Sequence, residues 1–215
     1  MIFMKVTELA METVLRKALE VLKSGGIIAY PTETFYGLGV KFDLEGPLEK
    51  LYEIKKRPRV KAMSLIIGKS EQLPSVADSI SIAAEALMAE FWPGPLTLLF
   101  PAKENISRLI TAGTGKVAVR VPGESFALAL ARIAGFPITA TSANPSGLPP
   151  ADDAETVIRY FGSDVDLIVS AGPTPGGIPS TIVDTTGDTA RIMREGVIKK
   201  EALFILSKKV SFDFQ

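Results

Sequence analysis

Gly26-Ile27-Ile28-Ala29-Tyr30-Pro31 is the stretch that decides the fold class. The run is short, wholly apolar and closed by a proline. It has the length of a strand and none of the in-and-out alternation of a strand with one wet face, so it predicts a central strand buried on both sides. Just before it, residues 7–24 place Leu9, Val14, Leu15, Ala18, Leu19 and Leu22 on one helical stripe, with Thr7 as the N-cap and Gly25 just past the end. Further out, helical periodicity recurs over 46–56, 79–91, 125–134 and 154–161. Apolar strands are expected over 64–67, 96–100, 117–121, 138–141, 167–169, 181–183 and 191–193. This alternation predicts an α/β sandwich around a largely central sheet. No fixed-period repeat and no linker interrupt it, so a single domain over 1–215 is expected, with 145–150 and 172–179 as punctuated loops. Residues 199–209 set Ala202, Leu203, Ile205 and Leu206 between lysines and read either as a short packed helix or as the remnant of a linker.

Composition narrows the chemistry. Of 215 residues, 47% are hydrophobic and 22% charged, enough for a sizeable core and too apolar for a disordered chain. Lys+Arg and Asp+Glu both number 24, so any affinity for phosphates must come from a local basic patch. There is no Cys and no His. Disulfides, zinc fingers, thiol nucleophiles, Ser-His-Asp triads and imidazole bases are therefore excluded, and no residue is assigned as a metal ligand. The N-terminus carries Lys5 and Glu8 where a secretory signal would be apolar, and no segment approaches the roughly 18 apolar residues of a membrane span. A cytoplasmic protein is expected.

The phosphate-loop look-alikes fail on inspection. Gly172 and Gly177 have the spacing of a P-loop, but Ile178-Pro179 stands where Lys and Ser or Thr are required. Gly37 and Gly39 follow the first strand without the third glycine of a dinucleotide fingerprint, since Phe42 occupies its place.

Three constellations remain. Lys55-Lys56-Arg57-Pro58-Arg59-Val60-Lys61 is the densest basic stretch; Pro58 pushes Arg57 out of the α region, which would end the helix and let Lys55 and Arg57 aim at one anion. The plainer reading is a solvated helix end. In Ile138-Thr139-Ala140-Thr141-Ser142-Ala143-Asn144-Pro145, Ser142 and Asn144 stand two apart at a strand end, either facing a ligand or closing a turn on their own backbone. In Tyr30-Pro31-Thr32-Glu33-Thr34-Phe35-Tyr36-Gly37, Thr32 and Tyr36 bring hydroxyls off a buried strand, unless Tyr36 is simply an amphipathic core residue. Arg120 inside one apolar strand and Arg194 at the end of another each call for a carboxylate or a bound anion.

These stretches, with Trp92-Pro93-Gly94-Pro95-Leu96-Thr97, Val119-Arg120-Val121-Pro122, Pro179-Ser180-Thr181-Ile182-Val183-Asp184 and Arg194-Glu195-Gly196, resemble the YrdC family over residues 15–197. The resemblance implies a twisted, mixed-sheet α/β sandwich with a large basic cavity. It also implies condensation of L-threonine, bicarbonate or CO2, and ATP to threonylcarbamoyl-AMP and pyrophosphate, a nucleotidyltransferase reaction serving tRNA threonylcarbamoyladenosine modification. Carried onto this chain, it makes Lys55, Arg57, Ser142 and Asn144 catalytic. Thr32, Tyr36 and Thr181 would bind threonine, and Arg120, Thr141, Ser142, Asn144, Ser180 and Arg194 the nucleotide. Mg2+ would accompany ATP. The implied partners are tRNA or double-stranded RNA and a downstream tRNA threonylcarbamoyl transferase complex. No second C-terminal domain of the kind some longer relatives carry is expected, and Gly68 stands where some relatives have a histidine, so no imidazole is expected to hold threonine. Two competing readings are a double-stranded RNA or tRNA-binding module and a divergent family member acting on another substrate; zero net charge argues against the first as the main role.

Overall fold

Residues 28–31 are buried at every position and form a strand in the interior of a sheet, as the unbroken apolar run predicts. The computed structural model describes residues 1–210 and 213–214. In chain order its elements are β1 (Ile2–Lys5), α1 (Met11–Lys23), β2 (Ile28–Pro31), β3 (Tyr36–Gly39), α2 (Glu45–Ile54), β4 (Ser64–Ile66), α3 (Ile82–Phe91), β5 (Leu96–Pro101), α4 (Arg108–Thr111) and β6 (Lys116–Arg120). There follow α5 (Phe126–Ala134), β7 (Ile138–Thr139), β8 (Thr141–Ser142), α6 (Ala154–Phe161), β9 (Leu167–Ser170), β10 (Thr181–Asp184), β11 (Thr189–Arg194), α7 (Lys200–Val210) and β12 (Asp213–Phe214).

The strands make two mixed sheets, not one central sheet. Five run in the order β1-β9-β2-β3-β8 and seven in the order β12-β11-β10-β5-β6-β4-β7. The expected single strand over 138–141 is where the correction originates. Ile138 and Thr139 pair with β4 in the seven-stranded sheet, whereas Thr141 and Ser142 pair with β3 in the five-stranded one, so the chain changes sheets at Ala140. Pattern alone could not show this, because Ile138-Thr139-Ala140-Thr141-Ser142 reads as one strand whose end turns polar, with no turn residue to mark a break. Leu38 and Ile168 from the smaller sheet share one core with Leu65, Leu98 and Val119 from the larger, which makes the two sheets a sandwich.

Helices cover the outer faces. α1 buries Val14, Ala18, Val21 and Leu22, and with α5 forms a second core beneath β2 and β9. Its start is Met11 rather than Thr7: the Thr7 hydroxyl and carbonyl both accept from the Ala10 N–H, giving a turn ahead of the helix and leaving Leu9 fully exposed. The tail is a packed helix, since Leu203 and Leu206 of α7 enter the main core.

Candidate active site

Where the chain changes sheets, the sandwich opens into a cavity of about 510 Å³. That volume suits a nucleotide-sized ligand. The turn between β2 and β3 contributes Thr32, Thr34, Phe35 and Tyr36 to its wall, and the end of α2 contributes Arg57. Ala140, Thr141 and Ser142 come from the crossover, Arg120 from β6, and Ser180, Ile182 and Arg194 from β10, β11 and the loop before them. No Asp or Glu lines it among the described residues. Three guanidinium groups from separate parts of the chain thus share one concave surface, and the large basic cavity is present.

Arg57 reaches the cavity through a helix end the sequence reading only half explains. The Lys56 N–H bonds to the Glu53 carbonyl and the Arg57 N–H to the Tyr52 carbonyl, at 2.9 Å each, with Lys56 left-handed at φ 48°. This is a Schellman closure with lysine in glycine's usual place, a conformation that costs about 1–2 kcal/mol. Pro58 is therefore not what ends the helix. The Arg57 guanidinium donates through Nε to the Lys61 carbonyl at 3.0 Å and through Nη2 to the Ala62 carbonyl at 2.6 Å. Burial pushes its pKa below the ordinary value, and the neighbouring Tyr52 opposes that shift.

Lys55 does not join Arg57 on an anion. It is 1% exposed, outside the cavity lining, and its Nζ donates to the carbonyls of Ser142 and Asn144, the latter at 2.6 Å. The Lys55 carbonyl in turn accepts from the Ser146 N–H at 2.7 Å. Burial, helped by the charge of Arg57, lowers the Lys55 pKa to about 7. A neutral amine has two N–H donors, and two carbonyls are there to take them. Lys55 straps the crossover turn to α2, and its Nζ lies outside the cavity lining rather than beside Arg57.

Asn144 is also turned away. It accepts from the Ser142 hydroxyl at 2.5 Å and donates its amide to the Leu148 and Pro145 carbonyls, closing the turn that was the alternative reading of this motif. Ser142 itself stays on the cavity wall. Thr181 is fully buried behind that wall; its hydroxyl donates to the Ile198 carbonyl at 2.7 Å and accepts from the Gly196 and Ile198 N–H groups. The Thr32 hydroxyl donates to the Phe35 carbonyl at 2.7 Å and accepts from the Thr34 and Phe35 N–H groups, which commits it to its own turn. The Tyr36 hydroxyl donates to the Gly172 carbonyl at 2.7 Å, so its ring lines the cavity while its polar tip is engaged elsewhere.

On the opposite wall, Arg194 donates to the Ser180 carbonyl at 2.8 and 3.1 Å and to the Ser180 hydroxyl at 3.2 Å, and that hydroxyl lies 3.1 Å from the one on Thr97. Burial and the charge of Arg120 both press the Arg194 pKa downward. Arg120 is paired with Glu33, Nη1 to Oε1 at 2.9 Å.

Thr34 and Thr97 line the cavity and were not singled out. Their signal was strand alternation: Thr34 stands between Thr32 and Tyr36 at a spacing of two, and Thr97 is the lone polar residue in Leu96-Thr97-Leu98-Leu99-Phe100. Gly68 lies against α5 and outside the cavity lining; a Cβ there would stand 2.5 Å from the Arg132 Cα, so no side chain fits without moving the helix.

The family Sua5_yciO_yrdC, described as telomere recombination, matches residues 20–196. Over 94% of its length the chain is 37% identical to a threonylcarbamoyl-AMP synthase of Pyrococcus abyssi, and over 87% it is 38% identical to a threonylcarbamoyl-AMP synthase of Bacillus subtilis. These matches span 59% and 54% of those relatives, so the chain covers little more than half of their length. The crystal structure of P. abyssi Sua5 complexed with L-threonine superposes on the whole chain and 62% of its own, with a TM-score of 0.90 at 34% identity.

Proposed function

The chain belongs to the Sua5/YciO/YrdC family, and we propose that it makes threonylcarbamoyl-AMP from L-threonine, CO2 or bicarbonate, and ATP. The observation that carries this reading is the meeting of Arg57, Arg120 and Arg194 with the hydroxyls of Thr34, Ser142 and Ser180 around one cavity. Relatives that carry the synthase name, and a relative with threonine bound, support it.

The reaction suits a chain without Cys or His. The amine of threonine adds to CO2 and loses a proton, giving a carbamate. A carbamate oxygen then attacks the α-phosphorus of ATP; the new P–O bond forms as the α–β bridging P–O bond breaks and pyrophosphate leaves. No protein nucleophile takes part. The protein's contribution is to hold two anions in line and to stabilise the charge that builds on the phosphoryl oxygens. Arg57 and Arg194 are each anchored by backbone carbonyls, so their charge is oriented without being neutralised. A protein-held Mg2+ does not fit this lining, which has no carboxylate, and no cluster of potential metal ligands occurs among the described residues. Magnesium would enter as part of the Mg·ATP substrate.

In this reading the product carries an activated threonylcarbamoyl group for transfer to an adenosine of tRNA by a separate transferase complex. Among the described residues no helix is long and apolar enough to cross a membrane. The test is incubation with Mg·ATP, bicarbonate and threonine, scored for pyrophosphate. Release that depends on threonine, is stronger than with serine and is absent with valine is expected; release at the same rate without any amino acid would contradict the assignment.

A further inference from the structure

Glu33 is the buried acid that this chemistry leaves unused. Its side chain is 15% exposed, both carboxylate oxygens are sealed from solvent, and neither accepts a hydrogen bond from the described residues. Burying a carboxylate without donors is costly unless a cation compensates it, and the compensation here is Arg120 at 2.9 Å. The Arg120 guanidinium has no other side-chain hydrogen bond or ion pair among the described residues, and the residue forms part of the cavity wall. Gly123 backs the carboxylate: a Cβ at that position would come within 3.3 Å of the Glu33 Cγ.

We infer that Glu33 is a positioning residue that fixes Arg120 at the cavity wall and offsets its charge, so that the polyanionic product of the proposed reaction can leave. This role rests on that reading and on the balance of charge at the cavity wall. Arg57 and Arg194 are held by neutral carbonyls and keep their full positive field, and a third uncompensated guanidinium would deepen the potential well for pyrophosphate. A tightly bound product slows turnover as surely as a poorly bound substrate. With Glu33 attached, Arg120 contributes geometry and little net charge.

The experiment is calorimetric titration of inorganic pyrophosphate into the wild-type chain, Glu33→Gln and the double variant Glu33→Gln/Arg120→Gln, with steady-state rates alongside. Glu33→Gln keeps the shape and removes the charge, so it should bind pyrophosphate about tenfold more tightly and turn over more slowly, with kcat and the KM for ATP both falling. The double variant removes both charges together, so its affinity for pyrophosphate should stay within about fivefold of wild type, while its turnover falls because Arg120 is part of the cavity wall. It also covers the case in which the single variant, with an uncompensated buried cation, fails to fold. Unchanged or weaker pyrophosphate binding by Glu33→Gln, or a loss of tenfold or more in pyrophosphate affinity in the double variant, would overturn the role of Glu33. A wild-type chain that binds no pyrophosphate would overturn the parent reading and this inference with it.

Discussion

Replacing Arg57 with alanine should lower kcat/KM for the proposed synthase reaction by about 100- to 1000-fold, the range seen when one preorganised charge-stabilising donor is lost. The guanidinium also holds the Lys61 and Ala62 carbonyls, so the same change should cost about 1–2 kcal/mol of stability. Arg57→Lys separates the two effects. It keeps a point charge but not the planar fork, and its activity should fall between wild type and Arg57→Ala. Steady-state kinetics beside urea unfolding reads both. Turnover of Arg57→Ala within about threefold of wild type would return this residue to a strap for the 58–62 loop.

Lys55→Met should be the most damaging change to structure and activity together. It leaves the Ser142 and Asn144 carbonyls without their donor, at about 1–3 kcal/mol for each buried group. It also frees the crossover turn that carries Ser142, so a loss of about 100-fold or more in turnover is expected. The wild-type chain gives a second readout. Burial holds the folded Lys55 pKa at about 7 against an ordinary 10.5. Between those values the unfolded chain binds a proton that the folded chain does not, so stability rises with pH from about 7 towards 10.5. Above that window both forms are neutral, and below it both are charged. The slope approaches about 1.4 kcal/mol per pH unit, so urea unfolding at pH 9 should show about 2 kcal/mol more stability than at pH 7.5. Lys55→Met should abolish that gain. A gain that survives in the variant, or a flat wild-type profile, would show that Lys55 is not the group responsible.

Much of the fold was legible wherever one periodicity dominated. The apolar run at 26–30 and the stripe on α1 each allowed one answer, because a doubly buried strand and an amphipathic helix expose no ambiguous face. The change of sheet at Ala140 was not legible: no Gly or Pro separates the two short strands, and only long-range pairing with β3 and β4 distinguishes them from one longer strand. The site divides along similar lines. Arg120 and Arg194 were flagged because arginine in an apolar strand needs a partner, and both are on the cavity wall. The sequence shows which residues stand two apart, but not which way a long side chain turns once the backbone bends. Lys55 points back at carbonyls while Arg57 points into the cavity, and Ser142 stays on the wall while Asn144 closes a turn. Hydroxyls were the least legible: Thr32 closes its own turn with Thr34 beside it, Thr181 holds the distant 196–198 segment, and Thr97 meets Ser180.

The proposed reaction joins threonine, a carboxyl carbon from CO2 and the α-phosphate of ATP in one cavity. The most direct measurement is incubation of the chain with 14C-bicarbonate, threonine and Mg·ATP, followed by separation of the nucleotides. The account predicts one labelled adenylate that also carries label from 3H-threonine and appears in step with pyrophosphate. Pyrophosphate and AMP without 14C in any adenylate would contradict it.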